Sequence, residues 1–224
     1  MTSGPLRQTF ADELEQLRIQ VELMAVRVDQ NLERLRDVLI GGDAAIIVVA
    51  FAADDEIDAM NVSLTERCYD LLRREAPVAS DLRFVVSVLR VLGELERIGD
   101  LALRVIKLAP DHELLASNPP TFDILLAMAD DALDRYRESL RAWATMDLGL
   151  ATELAVTPRS MEAFYERLMR ELLRLEGPDA VRVAVVTFTA GRSIERVGDH
   201  AGVIGARLRY LLTGDPAHLN AEVR

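Results

Sequence analysis

Cysteine is almost missing from this chain of 224 residues: Cys68 stands alone. No intrachain disulfide and no cysteine-based zinc site can therefore be built. Glycine and proline are scarce too, at 12 and 8 residues, which argues against a loop-rich or sandwich fold. Aromatic residues reach only 5%, and Leu, Ala, Val, Glu and Arg dominate instead, the composition of a helix bundle. Long apolar runs are missing. The longest, Ala44 to Ala53, has ten residues and ends in Asp54-Asp55-Glu56, half of what a bilayer span requires. The first residues lack the basic flank and apolar stretch of a secretory signal. A cytoplasmic protein without membrane insertion is expected. Positive charge is in deficit, with 26 Lys and Arg against 37 Asp and Glu, a net charge of −11. Bulk electrostatics thus disfavours nucleic acid or an anionic bilayer as partner. What the chain has is apolar mass, 50% of its residues, enough for a sizeable core.

Helical periodicity runs through almost all of it, interrupted by few breakers. The pattern predicts a first helix from Thr9 to Ile40, stopped by Gly41-Gly42. A second starts with Asp43 as cap candidate and runs to Glu75, ahead of Pro77. A third runs from Ser80 or Asp81 to Leu108. Ala109 to Pro120, with Pro110, Asn118, Pro119 and Pro120, reads as a linker. A fourth helix, capped by Thr121, extends to Met146. The fifth spans Asp147 to Leu175, kinked or restarted at Pro158. The sixth runs from Asp179 to Leu212. No stretch alternates with period two for long enough to predict a strand.

The six helices divide into three plus three. Glu96-Arg97-Ile98-Gly99-Asp100 returns 99 residues later as Glu195-Arg196-Val197-Gly198-Asp199, and Arg83/Arg182 and Ala102/Ala201 keep that offset. Upstream the offset becomes 104, pairing Asp43 with Asp147 and Asp58 with Glu162. A loop five residues longer in one copy explains the change. The expected fold is all-α: two tandem three-helix bundles, at 1–110 and 121–214, followed by a tail at 215–224.

On the third helix Val85, Val88, Leu92, Leu95, Gly99, Ala102 and Ile106 form an apolar arc. Arg83, Arg90, Arg97 and Arg104 recur every seven residues on the side expected to face solvent. Glu96 and Asp100 stand at the margin of the arc, one turn apart, where like charges repel unless a cation lies between them. The second helix carries Asp54 and Asp58 at the same spacing. In an antiparallel hairpin, residues at one level share an index sum. Asp58 with Glu96 and Asp54 with Asp100 both sum to 154, which centres the turn on Pro77. In the second copy Glu162 with Glu195 and Pro158 with Asp199 share the sum 357, centred between Gly177 and Pro178. That cluster has three carboxylates, Glu162, Glu195 and Asp199, because Pro158 takes the fourth place. Oxygen ligands of this kind suit hard cations such as Mg²⁺, Mn²⁺ or Fe²⁺, and Zn²⁺ less well. The bland alternative is a solvated acidic face, with Arg104 one turn after Asp100 and Arg192 three residues before Glu195.

Other residues carry weaker signals. His200 could be an accessory ligand but reads better as a surface or capped histidine. His112 in the linker and His218 in the tail are expected in solvent. Cys68 reads as a small buried hydrophobe, and Trp143, Phe164, Tyr165 and Phe188 as core. No phosphate-cradling glycine loop or nucleophile elbow is present. A ferritin-like di-iron protein would add Glu-x-x-His motifs. The residues three before the histidines are Ala109, Val197 and Asp215, which weighs against that class. A metal-free structural adaptor is the remaining alternative.

PVASDLR (Pro77 to Arg83), followed by ELERIGDLA (Glu94 to Ala102) and a second copy ERVGDHA (Glu195 to Ala201), closely resembles the PhoU family of bacterial phosphate-transport accessory proteins and phosphate-signalling regulators. The resemblance covers nearly the whole chain. It implies two three-helix bundles packed side by side and metal-binding E(D)xxxD motifs, falling here on Asp54/Asp58, Glu96/Asp100 and Glu195/Asp199. Iron or another metal (Mn, Mg or Zn) is the implied cofactor. The implied role is regulatory: a non-enzymatic homodimer that holds a sensor histidine kinase in its repressing state when phosphate is plentiful, and contacts the ATPase of the phosphate ABC transporter. The sequence departs from the family where Asn is usual four residues after the motif's Asp: Arg104 and Val203 stand there. Ala180 replaces the Asp that would match Asp81. The first cluster is therefore expected to bind metal better than the second.

Overall fold

The computed structural model describes residues 5–75, 77–155 and 159–223. Helix α1 (Pro5–Gly41), α2 (Ile46–Glu75) and α3 (Ala79–Ile106) form the first repeat. After a 3₁₀ turn at Ala109–Asp111 and the short α4 (His112–Ala116) come α5 (Pro119–Thr145), α6 (Leu148–Leu154), α7 (Arg159–Leu172) and α8 (Ala180–Thr213). A 3₁₀ segment, Pro216–Val223, closes the chain. The fold is all-helical in its described residues, two bundles in tandem. None of these helices is long and apolar enough to cross a membrane.

Local chemistry sets the boundaries. Asp43 and Asp147, the pair found at offset 104, both stand at helix entrances in different ways: Asp147 caps α6, accepting the Leu150 amide (3.0 Å), whereas Asp43, expected to cap α2, accepts the Ala45 amide (2.9 Å) in the turn that precedes it. The cap of α5 is Asn118, which accepts the Thr121 amide at 3.2 Å, so the helix starts earlier than Thr121. Prolines fill its first turn, where no amide donor is required. The fifth sequence helix is split into α6 and α7, and Pro158 lies outside the described residues. The linker is not plain coil. In it, His112 is partly buried, with Nε2 3.1 Å from the Leu39 carbonyl oxygen and the ring edge-on to Phe122. The ring covers Gly42, whose φ of +66° and lack of a side chain permit the approach. The expectation of a solvated His112 is thereby corrected, since a linker residue between two repeats is where they must pack. His218 is likewise partly buried, and Phe188, expected in the core, is 41% exposed.

The repeats meet face to face. Arg36 pairs with Asp130 (2.6 Å), Arg137 with Asp29 (2.9 Å), and Tyr136 donates to the Ala25 carbonyl (2.8 Å), so α1 and α5 run antiparallel. Helices α3 and α8 cross the same way, with His200 Nδ1 2.6 Å from Glu94 Oε2. The apolar arc of α3 is buried as expected, and so is a second side carrying Val91, Ile98, Leu101 and Val105. One continuous core runs through both bundles.

Candidate functional site

The hairpin register read from the index sums holds in the first repeat. A Cβ placed on Gly99 would lie 3.4 Å from Asp54 Oδ1 and 3.7 Å from Ile57, so Asp54 is level with the end of the acidic motif on α3. Asp54 and Glu96 are partly buried, while Asp58 and Asp100 are more exposed. Burial, then Asp58 and Asp100, push the Asp54 carboxyl up to about 6. Asp58 is raised by lost hydration and by Asp100, and Glu96 by burial and by Asp100. The four carboxylates therefore act on one another. Opposing cations are few and loosely placed: Arg97 is 3.9 Å from Glu96, and Lys107, which lowers Asp54, stands 4.6 Å above the Phe51 ring. Arg104 forms no ion pair with Asp100 among the described residues. Nor, among those residues, do three or more Asp, Glu, His or Cys side chains converge as a ready-made metal-holding group. The first repeat thus holds mutually repelling oxygen donors at one level, the right chemistry for a hard cation but without a closed ligand set.

In the second repeat two of the acidic residues have cations beside them. Glu195 is hydrogen-bonded to Arg192, whose guanidinium also lies 6.0 Å from the Tyr165 ring centre. Asp199 is exposed and faces Arg135 electrostatically, and Glu162 is exposed on α7. Arg135 is buried on α5, donating Nε to the Gly198 carbonyl (2.9 Å) and a terminal nitrogen to the Leu154 carbonyl (2.6 Å). Burial pulls its guanidinium below the ordinary value, while Asp131, Asp199 and Glu138 oppose the shift. Sequence reasoning missed Arg135. The signal was present: at the offset of 104 it matches Asn31, a buried neutral residue of α1. His200, next to Asp199, is occupied with Glu94 across the α3–α8 seam. Of the heptad arginines, Arg90, Arg97 and Arg104 are exposed, and Arg83 is partly buried beside Gly214. Cys68 is fully buried, its thiol pushed up to about 12 by burial.

The paired acidic motifs, the duplicated three-helix units and the antiparallel seam can be set beside known proteins. The PhoU domain pattern matches residues 21–109 and 125–208. The chain belongs to the PhoU family. A PhoU homologue from Pseudomonas putida, named a phosphate-specific transport system accessory protein, is 30% identical over 97% of this chain and 86% of its own length. The phosphate-specific transport system accessory protein PhoU of Escherichia coli is 27% identical over 95% of this chain and 89% of its own. In three dimensions the crystal structure of PhoU from Pseudomonas aeruginosa superposes with a TM-score of 0.85 at 30% identity, covering 92% of this chain and 100% of that one. The PhoU of Streptococcus pneumoniae, at 22% identity and a TM-score of 0.79, shares the fold.

Proposed function

We propose that this chain is an accessory protein of phosphate transport and a regulator of phosphate-starvation signalling. It acts in the cytoplasm as a non-enzymatic adaptor between the ATPase of a phosphate ABC transporter and a sensor histidine kinase, and as a homodimer. The observation that carries this reading is similarity along essentially the whole chain, in sequence and in fold together, to proteins named for phosphate-specific transport. The net charge of −11 suits a partner with a basic docking surface. Capture of partners by the full-length protein from phosphate-replete and phosphate-starved cells tests it. Recovery of the ATPase and the kinase is expected, and recovery of neither overturns the reading.

Within that role, a divalent or iron cation belongs to the first repeat, held by Asp54, Asp58, Glu96 and Asp100, where it would offset the burial and the repulsion that raise Asp54. Glu162, Glu195 and Asp199 bind weakly or not at all, because Arg135 and Arg192 already supply positive charge. Titration of Mn²⁺ or Fe²⁺ should show Asp100→Asn losing at least tenfold in affinity and Asp199→Asn little. Equal losses would refute the asymmetry. A metal-free adaptor is the second reading. Elemental analysis of untagged protein separates the two.

A further inference from the structure

The chain has one lysine, Lys107, among its 26 basic residues. It caps the C-terminal end of α3, is exposed, and holds its ammonium 4.6 Å from the centre of the Phe51 ring on α2. Phe51 comes one turn before Asp54 on α2, and Lys107 comes three turns after Glu96 on the same side of α3. Lys107 therefore stands at one end of the row formed by Asp54, Asp58, Glu96 and Asp100. Its charge lowers Asp54 against the burial and the repulsion that raise it. At the other end of the row, Arg97 is 3.9 Å from Glu96.

The second repeat is built differently. Ala206, fully buried, stands where Lys107 does, and Ala155 matches Phe51. The cation facing Asp199 is Arg135, buried and fixed by two carbonyls. A lysine is instead a point charge on a flexible stem, and one resting on an aromatic face in reach of water is weakly held. We propose that Lys107 is the built-in counter-cation of the first repeat's carboxylates: resting on Phe51 at the end of their row, it offsets their repulsion when no ion is bound and opposes the entry of a divalent cation. Lys107 thereby sets how much metal is needed to fill the site, a role that rests on the metal-binding reading of the same four carboxylates.

Calorimetric titration of the full-length protein with Mn²⁺ reads the effect. Lys107→Met should bind Mn²⁺ about fourfold more tightly than the natural protein at about 10 mM salt, and about twofold at about 100 mM, since the screening length falls from about 30 Å to about 10 Å. Lys107→Arg keeps the charge and should match the natural protein. Arg174→Met removes an exposed charge from the second repeat and should also match it. With a single lysine in the chain, chemical acetylation repeats the test without a substitution: it neutralises Lys107 and the amino terminus, whereas reductive methylation of the same amines keeps both charges. Acetylated protein should bind more tightly, and methylated protein should not. Unchanged affinity in Lys107→Met, or an equal gain in Arg174→Met, would overturn this role for Lys107 and leave the metal reading standing. No Mn²⁺ binding by the natural protein or by Lys107→Met would overturn both.

Discussion

Asp54 concentrates the electrostatics of the first repeat in one carboxyl. The folded protein holds its proton up to about pH 6, whereas the unfolded chain releases it near the ordinary value of 3.8. The native state therefore binds more protons in that window, and this group's contribution to stability falls as pH rises through it. Asp54→Asn should stabilise the metal-free protein at pH 7 by about 1 kcal/mol, a figure discounted for solvent screening, and should flatten the dependence between pH 4 and 6. Added Mn²⁺ should raise the melting temperature of the natural protein more than that of the variant. Thermal unfolding with chelator and with metal reads all three, and a variant that melts lower at pH 7 would contradict the account. Arg135 is the counterpart in the second repeat. Arg135→Met removes a buried cation that serves two carbonyls and three carboxylates, and should cost about 3 kcal/mol in denaturant unfolding. Arg192→Met, at a more exposed pair, should cost less than about 1 kcal/mol.

At the scale of elements, α6 and α8 approach so closely that a side chain is not accommodated. A Cβ on Gly205 would meet Leu154 Cβ at 2.6 Å and the Ala151 carbonyl oxygen at 3.1 Å. Gly205→Ala should therefore destabilise by about 2 kcal/mol through forced separation of the two helices. Gly93, inside α3 with nothing within 4 Å, is the control: Gly93→Ala should stabilise by about 0.5 kcal/mol, since only chain entropy changes. The helices themselves were legible because their signals are local. Asp43 and Asp147 announce their helix starts by residue type, and the α2–α3 register follows from a short turn at Pro77. The α5 cap lies earlier than the sequence predicts: Asn118 precedes two prolines and reads as linker, yet its side chain accepts the Thr121 amide.

For the whole molecule, the decisive contact is between repeats. Val91, Ile98, Leu101 and Val105 of α3 are buried although they lie outside the apolar arc, because α8 covers that side of α3. Residues 1–110 alone would expose this second face. That fragment should retain helical circular dichroism but bind a hydrophobic dye and show poor amide dispersion, whereas the full chain should be helical, leave the dye unbound and show well-dispersed amides. A fragment with native-like spectra would mean that the repeats are independent. The same dependence explains His112 and His200, which owe their surroundings to the other repeat or to the linker packed between them.

Periodicity, capping residues and the 99-residue echo of the acidic motif sufficed for most of the helices, the duplication and the register that sets Asp54 level with Gly99 of α3. These are properties of a residue and its near neighbours along the chain, or of one short hairpin, and a sequence records them directly. Which carboxylates keep their charge unopposed was decided by the tertiary structure. Arg135 reaches Gly198 across 63 positions, and Glu94 reaches His200 across 106. Such neighbours are chosen by how helix faces turn toward each other, an angle that depends on every side chain packed between them.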